Sequence, residues 1–115
     1  MDFSIIPIQG IRGFRLEGEL DVATVNELTE ALDGAIEAGG PILLDLSPLS
    51  FIDSMGIHAI LQAIRTLEDR GWCVYLHTDN GEVARALELL GVGKAKNAHI
   101  ADHPGARTPP VVPSS

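Results

Sequence analysis

The chain opens on two strand-like apolar runs, Phe3 to Ile8 and Ile11 to Leu20. Gln9 and Gly10 stand between them, and glycine takes the positive φ of a tight turn at no steric cost, so the pair predicts a hairpin. From Thr24 the period lengthens. Val25, Leu28, Leu32, Ala35 and Ile36 share one helical face, while Glu27, Glu30, Asp33 and Glu37 lie off it. Thr24 and Glu27 have capping-box spacing, in which the threonine oxygen accepts the third helical N–H and the glutamate reaches back. Gly39-Gly40-Pro41 stops this helix.

Pro41 to Leu46 is nearly continuous apolar sequence broken by Asp45, the pattern of a central strand covered on both faces or partly so. Ser47-Pro48-Leu49-Ser50 leads out of it, and Phe51-Ile52 is a brief apolar step before Asp53. Ile57, Ile60, Leu61, Ile64 and Leu67 then form a second helical stripe between Ser54 and Arg70, ended by Gly71. Trp72 to His77 is strand-like. Asn80-Gly81 opens a third helix with Val83, Ala84, Leu87 and Leu90 inward, and Gly91 stops it. Ala95 to Ala101 predicts a short edge strand. Strands alternating with helices after a hairpin imply a single α/β domain over residues 1–103, with a mixed sheet and helices packed on it. Residues 104–115 hold four of the seven prolines and carry no period, as a flexible tail would.

Composition narrows the function classes. A chain of 115 residues can bury roughly two-thirds of its unfolded surface without staples. Hydrophobic residues make up 45% and aromatics only 4%, so the core is aliphatic. A net charge of -8 opposes direct nucleic-acid binding, which draws its affinity from Lys and Arg on phosphates, and opposes docking on anionic membranes. The single cysteine, Cys73, sits among Trp72, Val74 and Tyr75 and reads as a buried thiol in a reducing, cytoplasmic setting. Neither a basic secretory start nor an apolar run near the roughly 20 residues of a membrane span is present.

The most informative stretch is Phe51-Ile52-Asp53-Ser54-Met55-Gly56-Ile57. An acid and a serine stand where a strand becomes the first turn of a helix, whose free N–H groups suit an anion. The plain reading is an N-cap, worth about 0.5–2 kcal/mol. The sharper one is a phosphorylation site, because a phosphoserine there can be held by backbone donors while altering what docks. Gly56 removes a side chain from this turn, either to let another backbone approach Ser54 or to pack the turn tightly against the sheet.

These residues carry a resemblance to the STAS domain of bacterial anti-sigma factor antagonists, reaching to about Ile100. Leu16-Glu17-Gly18-Glu19-Leu20-Asp21 resembles the family's second strand and its exit. Ile42 to Leu46 with Phe51 to Ile57 resembles the central strand and phosphorylation loop, and Val83 to Leu87 through Gly91 is similar to the third helix and its stop. The resemblance implies a binding protein, not an enzyme, with no cofactor. Its partner would be an anti-sigma factor that is also an ATP-dependent serine kinase, so that binding releases a sigma factor for transcription. The kinase would phosphorylate Ser54, and a metal-dependent serine phosphatase would reverse this. Asp53 matches the acidic neighbour of that serine. Gly18, Glu19 and Asp21 match the adjacent loop, and Met55 and Gly56 match the docking surface. His58 departs from a small residue or arginine common in relatives. The other roles weighed are a STAS scaffold subunit of a lipid-trafficking ABC transporter, a nucleotide-binding domain and a small serine hydrolase.

Other chemistry has less support. His58, His77, His99 and His103 lack zinc-site spacing. Gly91-Val92-Gly93-Lys94 fails as a phosphate loop because Glu88 replaces the first glycine and Ala95 the hydroxyl residue. No histidine stands in an evident triad arrangement with Ser54 and Asp53. Asp45 and Asp53 lack the paired acids that would hold Mg²⁺ in a phospho-aspartate receiver.

The charge is unevenly placed. Residues 16–64 contain nine acids and no Lys or Arg, leaving +1 for the rest of the chain. This acidic half brackets Ser54 and implies a basic partner surface, so association should slow as salt rises. Stopped-flow binding at several ionic strengths tests the point; an unchanged on-rate would refute it.

Overall fold

The structure, a computed structural model, describes residues 3–8 and 12–101. Strand β1 (Phe3–Pro7) pairs antiparallel with β2 (Gly13–Leu20), from Phe3 opposite Gly18 to Pro7 opposite Phe14. The Gln9-Gly10 turn and the proline-rich residues 104–115 lie outside the described residues. There follow α1 (Val25–Ala38), β3 (Ile42–Asp45), β4 (Leu49–Ile52), α2 (Ser54–Asp69), β5 (Val74–His77), α3 (Gly81–Leu89), a 3-10 turn at Val92–Lys94 and β6 (Ala98–Ala101). The mixed sheet has the order β1-β2-β3-β5-β6, with β4 also paired to β2. Every pairing after the hairpin is parallel.

Register sorts the side chains, because successive strand residues point to opposite faces. Ile5 lies opposite Leu16, Phe14 opposite Leu44, Leu44 opposite Leu76 and Leu76 opposite Ile100. That face packs with Leu28 and Leu32 of α1, Ile57, Ile60 and Ile64 of α2, and Val83 and Leu87 of α3 in one aliphatic core. The other face carries Arg15, Asp45, Tyr75, His77 and His99, all at least partly exposed. There Arg15 Nε donates to Asp45 Oδ2 at 3.3 Å, and the Tyr75 and His99 rings stack with centroids 5.2 Å apart. Partial burial, then the neighbouring Cys73, raises the Tyr75 hydroxyl above its ordinary pKa. The sheet is therefore covered by helices on one face.

Three expectations change. Leu49–Ile52 is a strand, not a lead-out: β2 runs on past β3, and its last residues pair Glu19 with Phe51 and Leu20 with Ile52. Pro48, lacking an N–H, stands in the gap between the two short partner strands, where a continuous ladder cannot run. Leu90 is 48% exposed instead of inward, because α3 ends at Leu89 and the chain leaves the helix axis there. Cys73 is half-buried, one residue before β5 begins.

Asn97 joins three elements. Its Nδ2 donates to the carbonyls of Ile64 on α2 at 3.0 Å and Trp72 before β5 at 2.9 Å. Its own carbonyl accepts from Val74 at 2.8 Å. Asn97→Leu leaves two carbonyls without this donor in a site only 8% exposed, and should cost about 1–3 kcal/mol. Urea unfolding followed by circular dichroism measures this; an unchanged midpoint would contradict the bridging role.

Candidate functional site

The end of β2 places two loops side by side. Asp53 N–H donates to the Leu20 carbonyl at 3.1 Å, extending the β2–β4 ladder by one bond into the start of α2. Asp53 is extended at φ -106° and ψ -177°, and its Oδ1 accepts from Gly56 N–H at 3.0 Å. The acid is thus the N-cap of α2, worth about 0.5–2 kcal/mol. Ser54, the first helical residue, is left exposed with its hydroxyl free of the capping task.

The β2–α1 loop is tied differently from the expected capping box. Thr24 Oγ1 accepts from Asp21 N–H at 3.0 Å and donates to the Glu19 carbonyl at 2.9 Å, and it makes no cap to the helix. Thr24 has helical torsions, φ -116° and ψ -9°, which turn its side chain back toward the strand. Asp21 covers the helix start instead: its carbonyl accepts from Thr24 and Val25, and its Oδ1 accepts from Ala23 at 2.9 Å. Gly18 has φ +96° at the register shift between Gly18 and Glu19, a conformation that favours glycine. Ser50 Oγ donates to the Gly18 carbonyl at 3.1 Å, binding the bulge to β4.

Among the residues singled out in the sequence, Gly18, Glu19, Asp21 and Asp53 are half-buried, and Ser54, Met55 and His58 are exposed. His58 lies one turn beyond Ser54, with its Nε2 3.3 Å from Gln62 Nε2. Two further residues belong to this surface. Val22 in the β2–α1 loop is 67% exposed, Phe51 on β4 is 48% exposed and Met55 is 46% exposed, so the two segments that meet at the end of β2 both carry exposed apolar side chains. The available signal was position: each is a large apolar residue within one of the two loop segments. Among the described residues, no three of His, Cys, Asp and Glu converge.

A family model described as the STAS domain matches residues 3–103. The chain belongs to the STAS domain family. Solved structures with a similar fold include the anti-sigma factor antagonist SpoIIAA in its unphosphorylated form, at 23% identity and TM-score 0.67 over 88% of each chain. Bacillus SpoIIAA in its phosphorylated form matches at 23% identity and TM-score 0.64, over 87% of this chain and 91% of that one. An anti-sigma factor antagonist from Mycobacterium paratuberculosis matches at 18% identity and TM-score 0.70, over 85% and 84%. At such identities the likeness is one of fold.

Within this STAS domain the two readings of Gly56 separate. The residue is buried, and a Cβ placed on it would lie 2.7 Å from Leu20 Cγ and 3.1 Å from Ile52 Cγ1. Leu20 is fully buried and has no free space to yield. Gly56 therefore serves close packing of the α2 turn on the end of β2, while Ser54 and Met55 face outward. Gly56→Ala should destabilise by about 1–3 kcal/mol through overpacking, outweighing the roughly 1 kcal/mol that alanine gains in helix propensity. Thermal unfolding of this variant, with and without Leu20→Ala to make room, checks the cause; additive losses in the double variant would exclude the clash.

Proposed function

We propose that this STAS domain is an anti-sigma factor antagonist whose partner binding is switched by reversible phosphorylation of Ser54. The supporting observation is the division of labour at the start of α2: Asp53 caps the helix through Gly56 N–H, and the neighbouring Ser54 is exposed. A serine consumed as the cap could not be modified without weakening the helix. This one can. Similar folds include SpoIIAA in both unphosphorylated and phosphorylated forms, which agrees with the reading.

In this reading a kinase partner transfers the γ-phosphoryl group of ATP to Ser54 Oγ, the hydroxyl proton leaves, and ADP is released. A metal-dependent phosphatase hydrolyses the ester. The phosphate adds about -1.5 to -2 charge at a helix N-terminus, where free backbone N–H groups and the helix dipole accommodate an anion. The fold persists and the docking surface changes. Because the surrounding sequence is already acidic, a basic partner would feel more long-range attraction after phosphorylation. Inhibition must then act at close range, by clash or desolvation against Val22, Phe51 and Met55, or through an acid facing Ser54.

A regulatory protein also accounts for the side chains better than a hydrolase. Among the described residues Asp53 Oδ1 accepts from a backbone N–H and the His58 ring neighbours Gln62, and no hydrogen bond joins either side chain to Ser54. No helix of the described residues is long and apolar enough to cross a membrane.

Incubation with the cognate kinase and ATP should place phosphate on Ser54 by mass spectrometry, and Ser54→Ala should abolish labelling. Phosphate on a different residue would sink the assignment. Ser54→Asp should weaken binding at least about tenfold, equivalent to 1.4 kcal/mol, with native circular dichroism. Equal affinities for Ser54→Asp and Ser54→Ala would remove the switch.

A further inference from the structure

We infer that the sheet face opposite the helices is a binding surface for a proline-rich segment, and that residues 104–113 of this chain occupy it. This does not depend on how Ser54 is used. Helices α1, α2 and α3 all contribute to the one core that holds Leu16, Leu44 and Leu76 of the sheet. Ile6 on β1, Leu43 on β3 and Tyr75 on β5 alternate with core residues, point to the other face and stand outside that core. Register lines the second face into two rows that cross the strands. One row runs Gly13, Leu43, Tyr75, His99; the other runs Arg15, Asp45, His77 and reaches β6 at Ala101.

The two rows differ in chemistry. In the first, the Tyr75 and His99 rings stack with centroids 5.2 Å apart and planes 23° from parallel, beside Leu43 on the neighbouring strand. Gly13 adds no side chain, so this row is low at β2 and carries its rings at β5 and β6. In the second, the Arg15–Asp45 pair makes a polar border. An aromatic and aliphatic strip with a polar border suits a polyproline II segment. Such a segment docks on aromatic surface, and its solvated backbone needs no hydrogen bond from the face it covers.

Composition and reach select the occupant. Pro109-Pro110 and Pro113 favour polyproline II, and their missing N–H groups oppose a further strand at the β6 edge. Strand β6 ends at Ala101, which pairs with His77, so the chain leaves the sheet at the end of the polar row. Pro104-Gly105 is a turn dipeptide that can direct the chain back over the face. From β6 across β5 and β3 to β2 is three strand spacings, about 14 Å. Five residues of polyproline II at about 3.1 Å each, such as 107–111, cover that width. Covalent attachment gives the segment a local concentration on the order of mM, so a contact too weak to hold a free peptide is filled within the chain. Occupancy closes this face to other polypeptides and leaves docking to the end of β2.

The test is nuclear magnetic resonance on the full chain, labelled with ¹³C and ¹⁵N. Ring protons of Tyr75 and His99 should show nuclear Overhauser effects to the δ protons of Pro109 or Pro110. Pro109→Gly with Pro110→Gly should remove these effects and move the Leu43, Tyr75 and His99 amides, leaving those of α1 and α2 in place. A synthetic peptide of residues 104–113, added to the glycine variant, should move the same three amides. The unsubstituted chain should need at least about tenfold more peptide, because its own segment competes. His99 is exposed, so His99→Ser in the glycine variant should weaken peptide binding several-fold with native circular dichroism. Absence of effects between the prolines and the rings, effects to the helices instead, or equal peptide requirements in the two chains would overturn the inference. So would a contact that strengthens with protein concentration, since the occupant would then be a second copy.

Discussion

The site depends on the end of β2. Leu20 contributes there in two ways: its carbonyl accepts from Asp53 N–H, and its buried side chain rests against Gly56. One residue thus fixes both the height at which α2 starts and the angle at which its first turn meets the sheet. The same strand end holds the other loop, because the Glu19 carbonyl accepts from Thr24 and the Asp21 carbonyl covers the start of α1. Both loops inherit their positions from one rigid strand. A reactive or recognised group held this way loses little entropy on binding, since its supports are already ordered.

Division of tasks between neighbouring residues makes a modifiable serine compatible with a stable helix. Helix N-termini carry unsatisfied N–H groups, and the residue that serves them is structurally committed. Here Asp53 has that commitment. The adjacent position is free to change chemistry, and the apolar residues Val22, Phe51 and Met55 give a partner something to bury. Desolvated contacts around a small polar group are also where an added charge is most costly. In the proposed switch, a phosphate at Ser54 would act through such contacts even though the surrounding sequence is acidic.

Much of this was legible in the residues. The helical stripes of α1 and α2, the hairpin and the turn-forming Asn80 follow from periods and caps that depend on near neighbours. Less legible were features set by partners distant in sequence. Leu49–Ile52 has only four residues and two exposed positions, so its strand character comes from pairing with β2 and not from its own pattern. The Thr24 hydroxyl oxygen had a local helix cap available, and the Asp21 N–H took it as acceptor while the hydroxyl donates to the Glu19 carbonyl. Leu90 continues the apolar period of α3, yet it stands just past the end of the helix.

By itself, the sequence determined the order and type of the main elements, the acidic half of the chain, and the Asp53-Ser54-Met55-Gly56 turn at a helix start. These are local properties, set by side-chain period, torsional preference and charge. Tertiary structure alone decided that Gly56 faces inward while Ser54 faces out, that Val22, Phe51 and Met55 stay exposed, and that Leu20 carries both the cap residue and the first turn of α2. Those relations arise across the sheet and between helices, where close packing and hydrogen-bond satisfaction select one geometry from several that the local sequence allows.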